Sequence, residues 1–219
     1  MPTDRYECTP DPHTAFPGGQ RPPELYAYPD PCHPVRLLFV GSNPPKPFGG
    51  FWETTRSDNL RTNLHWILNS VGAVEAMKPD EAFLNEFRQK GFFFIHAVKC
   101  WTRSTFPGFG RSRERGDRSR VGLPLLRACA WLHLATDLRN LDPQCVCALG
   151  EVAFFALAEV WKTIPTTAKP TQGRLFSRDE YGLPWDLHYT SFPSRAPAGR
   201  RATESLRAVA RRHLSKLLT

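Results

Sequence analysis

Gly41-Ser42-Asn43-Pro44-Pro45 places an amide side chain on a turn stiffened by two prolines, and Phe48, Phe51 and Trp52 follow closely. Proline fixes φ, so an Asn on such a turn can hold its amide in one direction, orienting a water or hydrogen-bonding a base edge. The aromatics can stack on a base turned out of a duplex. A plainer description fits the same residues: a Pro-rich turn whose aromatics cap the core. A second stretch, SFPSRAPAGRR, carries Ser194, Arg195, Arg200 and Arg201. These side chains can contact phosphates and prop open a gap in a duplex. They also fit a solvated basic turn ahead of a final helix. Arg111–Arg120 is denser in charge and reads as a mobile loop.

The charge balance agrees with a polyanionic partner. The chain carries 29 Lys+Arg against 21 Asp+Glu, a formal net charge of +8, and each phosphate neutralised by such a surface releases condensed counterions. With 219 residues, 41% hydrophobic and 23% charged, the composition is that of one globular domain with a full core. No apolar run approaches bilayer length and the N-terminus lacks a signal-peptide pattern. The expectation is a cytoplasmic monomer with no membrane partner. Its six cysteines are then thiols or metal ligands rather than disulfides.

Positioning elements are legible from periodicity. Residues 1–34 form a Pro-rich N-terminal arm, and residues 35–219 form the domain. Val35–Val40 (VRLLFV) reads as a buried strand ending at Gly41. Leu60, Leu64, Ile67, Leu68 and Val71 recur at helical spacing, and Asp80–Lys90 reads as a second helix ended by Gly91. Phe92–Val98 reads as the next strand, Pro124–Leu141 as a helix, Gln144–Leu149 as a third strand and Glu151–Trp161 as a helix. A fourth strand lies near Asp186–Thr190, followed by the loop through Arg201 and an amphipathic helix over Thr203–Leu218. This alternation predicts an α/β fold: three layers, α/β/α, around a central, mostly parallel four-stranded sheet. In such sheets ligands gather at the carboxyl ends of strands. The loops after Val40, Val98 and Thr190 are therefore the candidates for function.

Four ordered segments carry a resemblance. GSNPPKPFGG is similar to the first motif of the uracil-DNA glycosylase superfamily, notably its mismatch-specific and single-strand-selective branches. The resemblance implies that Asn43 positions the water attacking the sugar C1′ carbon. It also implies that Gly41 and Ser42 border the base and that Phe48 or Phe51 stacks on it. FFFIHAVKCWTR resembles the strand of the iron–sulfur branches that ends in a base-reading Asn; His96 holds that position here. A His can donate or accept, yet it cannot reproduce an amide's paired donor and acceptor, and an ordinary strand-end histidine is the plain alternative. The segment from Cys129 to Leu157 resembles the same branches' helix, strand, Leu-Gly and helix. Tyr189-Thr190-Ser191-Phe192-Pro193-Ser194-Arg195 resembles the second motif, whose loop wedges into the minor groove. Phe192 stands where most branches place a His that stabilises the departing base's negative charge. Phe has no donor, so that electrostatic contribution is missing.

The same resemblance bears on the cysteines. Cys100 and Cys129 fall where the iron–sulfur branches place two cluster ligands. A [4Fe–4S] cluster would then need Cys8 and Cys32 as the others, although those branches use a Cys-x-x-Cys pair. The reading adopted is no required cofactor, with Cys145 and Cys147 as core residues on a buried strand. Together these features imply a monofunctional DNA N-glycosylase of base excision repair, acting on DNA that contains uracil, hypoxanthine or xanthine. The alternative is a weak or inactive DNA-binding module that kept the fold. An unrelated hydrolase or nucleotide-binding protein would need a Ser nucleophile elbow or a Gly-rich phosphate loop, and neither is present.

Overall fold

The computed structural model describes residues 28–43, 50–53, 59–99, 126–165 and 174–193, the backbone of 19–20, 101–102 and 197–215, and the side chains of 203–212. The elements are β1 (Gly19–Gln20), β2 (Leu37–Gly41), α1 (Asn59–Asn69), α2 (Glu81–Gln89), β3 (Phe92–His96) and β4 (Trp101–Thr102). They continue with α3 over residues 126–141, β5 (Cys145–Leu149), α4 (Glu151–Val160), β6 (Arg174–Phe176), α5 (Arg178–Tyr181), β7 (Asp186–Thr190) and α6 (Pro197–Ser215).

The central sheet runs β3-β2-β5-β7-β6. β2 pairs parallel with β3 and with β5, and β5 pairs parallel with β7. The parallel strands are buried on both faces, which is why they read as continuous apolar runs. Alternation then sorts their side chains into two cores. Leu38, Val40, Phe93, Ile95, Val146, Ala148 and Leu187 face residues of α3 and α4, including Leu134, Leu138, Phe154 and Leu157. Leu37, Phe39, Phe92, Phe94, Cys145 and Cys147 face α1, α2 and α6 through Leu64, Ile67, Phe83, Phe87, Leu206 and Val209. Three layers result.

Several expectations are corrected. The sheet has five strands rather than four, because β6 adds an antiparallel edge paired with β7; three residues are too few to display a period. The arm is not wholly irregular, since β1 pairs antiparallel with β4. α1 stops at Asn69, and Val71 and Gly72 form the turn that follows it, through Val71 N–H to Leu68 O at 3.3 Å. α6 begins at Pro197, six residues before the expected start. Pro suits a first helical position, where no N–H is needed. Arg200 and Arg201 therefore belong to the opening turns of a helix, not to a loop. α3 winds as a π-helix over Ala130–Leu134 before resuming α geometry at Ala135, a local insertion often found near functional sites.

Candidate active site

The site lies where β2 and β3 end together. Gly41 and His96 are register partners at the carboxyl ends of adjacent parallel strands. Pairing persists beyond the strands: Gly41 O accepts from Ala97 N–H at 2.8 Å and Ser42 O from Val98 N–H at 2.9 Å. Gly41 is buried, and Ser42 and Asn43 are half-buried. A Cβ on Gly41 would stand 2.8 Å from Phe94 Cζ, so the missing side chain is what lets the Phe94 ring close against this turn. The same Cβ would lie 3.8 Å from His96 Cδ2, which places the imidazole alongside the turn.

His96 is 4% exposed, and its Nδ1 has no hydrogen-bond partner. Such an orphaned buried polar atom needs an explanation, and an incoming group is one. Burial, and then the Lys99 charge, pull its pKa from 6.5 to about 3. The imidazole is neutral at physiological pH, with one donor and one acceptor nitrogen. Its ring stands edge-on to Phe94, 4.8 Å between centroids. Beneath it, Tyr28 Oη accepts from the His96 backbone N–H at 2.9 Å. Lys99 Nζ sits 3.8 Å over the Tyr28 ring and forms an ion pair with Asp137 of α3. Burial and the Asp137 charge push the Tyr28 phenol well up, so it stays protonated.

The chain returns from the Asn43 turn through residues 50–53. Phe51, expected as a stacking platform, is instead fully buried. Its ring stacks on Phe94 at 4.5 Å and meets Phe83 and Phe87. Phe51 is a core residue in this structure because the Gly41 notch draws Phe94, and Phe94 draws Phe51. Phe48, the other candidate, lies outside the described residues. Trp52 Nε1 donates to Phe94 O at 2.9 Å. Arg61 of α1, 1% exposed, donates through Nη1 to Phe51 O at 3.0 Å and to Glu53 O. The returning loop is thus clamped to the same strand that carries His96.

Two strands away, β7 ends at Thr190, whose carbonyl accepts from Gly150 N–H at 2.8 Å. Gly150 has φ +88 and caps α4; a Cβ there would lie 3.4 Å from Phe192 Cβ. The Ser191-Phe192-Pro193 turn is seated on that glycine, and Asn63 Nδ2 of α1 donates to Pro193 O at 2.9 Å. Phe192 remains 39% exposed, an aromatic at the rim of the sheet's carboxyl edge. Ser194 and Arg195 lie outside the described residues, as do the side chains of Arg200 and Arg201.

Residues 29–217 match the family model described as the uracil DNA glycosylase superfamily. The chain belongs to that superfamily. A DNA glycosylase-like function and a DNA partner follow in general terms. The match begins inside the Pro-rich arm, next to Tyr28. A comparison with curated proteins finds no match.

For the iron–sulfur branches of the superfamily, the fit rests on thiols. Cys32 is exposed and Cys129 is buried in the core, while Cys8 and Cys100 lie outside the described residues. Among the described residues no three His, Cys, Asp or Glu side chains group as a metal site. Burial pushes the Cys147 thiol well up, in keeping with a core residue rather than a nucleophile. No helix among the described residues is long and apolar enough to cross a membrane.

Sequence reasoning missed Tyr28, Arg61 and the Lys99–Asp137 pair. Arg61 gave a faint signal: it sits within the apolar stripe of Leu60, Leu64 and Leu68, where a solvated arginine does not belong.

Proposed function

We propose that the protein is a monofunctional DNA N-glycosylase that flips a deaminated base, uracil or hypoxanthine or xanthine, from DNA and removes it by hydrolysis. The observation that carries this reading is the side-by-side ending of the Asn43 turn and His96, with an orphaned imidazole nitrogen buried between strand end and turn. A flipped base offers donors and acceptors on its edge, and a neutral imidazole can answer one of each. Asn43 orients the attacking water toward C1′ as the glycosidic bond stretches and positive charge builds on the sugar. Gly41 and Ser42 border the base with backbone, and Phe48 is the stacking ring. No covalent lysine adduct and no cofactor is required for this step.

The leaving base departs with negative charge. Phe192 supplies no hydrogen-bond donor at its rim, and a missing donor of that kind costs about 2.7–4 kcal/mol of barrier. Turnover is accordingly slow. The same exposed aromatic favours the second reading, a module that binds DNA without releasing a base. Duplexes carrying one deaminated base, treated with alkali after incubation, separate the two: strand scission marks the enzyme, and retention without scission marks the module. Asn43→Ala abolishes scission and leaves DNA affinity within about twofold, since phosphate contacts dominate that affinity. Undiminished release by Asn43→Ala refutes the assigned role.

A further inference from the structure

The N-terminal arm pairs with the rest of the chain at two places, and the second is the site. β1 pairs with β4, through Gly19 with Thr102 and Gln20 with Trp101. Tyr28 then lies under the end of β3, packed against Phe93 with ring centroids 6.4 Å apart. Its hydroxyl oxygen is the partner of the His96 backbone N–H. That N–H takes its acceptor from outside the sheet, because β3 is an edge strand and it is the next amide, Ala97 N–H, that bonds across to Gly41 O of β2. The Tyr28 ring is held in turn by Lys99, whose ammonium lies over its face and is paired with Asp137. Asp137 comes three residues after the π-helical segment of α3. Arm, strand end and α3 therefore meet at one phenol.

We propose that Tyr28 is a positioning residue of the base-recognition site: its oxygen fixes the backbone at His96, and the arm is part of the reading apparatus rather than a tail. This rests on the glycosylase reading for its functional consequence. A base-reading side chain must be held within a fraction of an ångström, and supporting hydrogen bonds supply that precision. Without the phenol oxygen the His96 N–H is buried and unpaired, and the strand end shifts to find water or another acceptor. The imidazole moves with it. Because the bases present different edges, a shifted reader alters their relative rates, whereas a general loss of folded protein lowers all rates alike.

Tyr28→Phe tests this in the full chain, since it keeps the ring under Lys99 and removes only the oxygen. With duplexes holding a single uracil opposite guanine or a single hypoxanthine opposite thymine, kcat/KM is expected to fall about tenfold, and the ratio between the two bases to change about threefold or more. Wild-type values for both rates and ratio overturn the proposal. A second measurement needs no activity: hydrogen exchange at the His96 amide is expected to quicken about tenfold relative to Ile95. Unchanged exchange also overturns it. If the wild type releases neither base, the glycosylase reading falls, and the exchange result still decides the role of Tyr28.

Discussion

His96 should resist protonation, and that resistance can be read in the stability of the protein. In the folded chain its pKa is held near 3, against an ordinary 6.5, because the charged ring would be buried beside Lys99. Between those two values the unfolded chain binds a proton that the folded chain does not. Acid therefore favours unfolding: the contribution is complete above pH 6.5 and is lost progressively as pH falls toward 3. One proton corresponds to about 1.4 kcal/mol per pH unit, so about 2 kcal/mol disappears between pH 6.5 and 5. The assay is urea unfolding of the wild type and His96→Gln across that range. Gln cannot titrate, and the other buried histidines are common to both proteins. The wild type should lose about 2 kcal/mol more than the variant. Parallel stability curves would show that His96 takes up its proton in the folded state, and the neutral reader would have to be abandoned.

Two further outcomes follow from packing and from charge. Gly41→Ala inserts a Cβ 2.8 Å from a Phe94 ring that is itself buried and stacked on Phe51. It should cost about 1–3 kcal/mol and lower the melting midpoint by about 2–4 °C per kcal/mol. Adding Phe94→Leu should recover part of that loss, and a midpoint unmoved by Gly41→Ala would contradict the close approach. Phe192→His restores a donor at the rim and should raise single-turnover base release by about tenfold or more, whereas no gain would mean that Phe192 does not face the departing base.

The strands most legible in the sequence were those buried on both faces, because LLFVG, FFFI and CVCAL are unbroken apolar runs, with His96 alone adding a polar side chain at the end of its strand. The carboxyl ends of LLFVG and FFFIH put Asn43 and His96 at one edge of the sheet. Short or edge elements escaped: β6 alternates over only three residues, and the two-residue pairing of β1 with β4 has no periodic signal. The π-helical turn of α3 leaves no compositional mark. The site's supports were hidden for a different reason. Tyr28 lies in a Pro-rich stretch that spacing cannot place, and Asp137 meets Lys99 across 38 residues of sequence. Phe51 misled because an aromatic after a glycine-rich turn can face a ligand or the core, and the choice was made by Phe94 from another strand.

The two bonds from Ala97 and Val98 back to Gly41 and Ser42 turn a pair of loop starts into one rail. The residues bearing the amide assigned to guiding water and the imidazole assigned to inspecting the base both adjoin that rail, so their backbones are coupled. On the proposed reading, swapping the inspector for another side chain would retune which lesion is admitted while leaving the hydrolytic guide in place. On that same reading, the choice of base would turn on position 96.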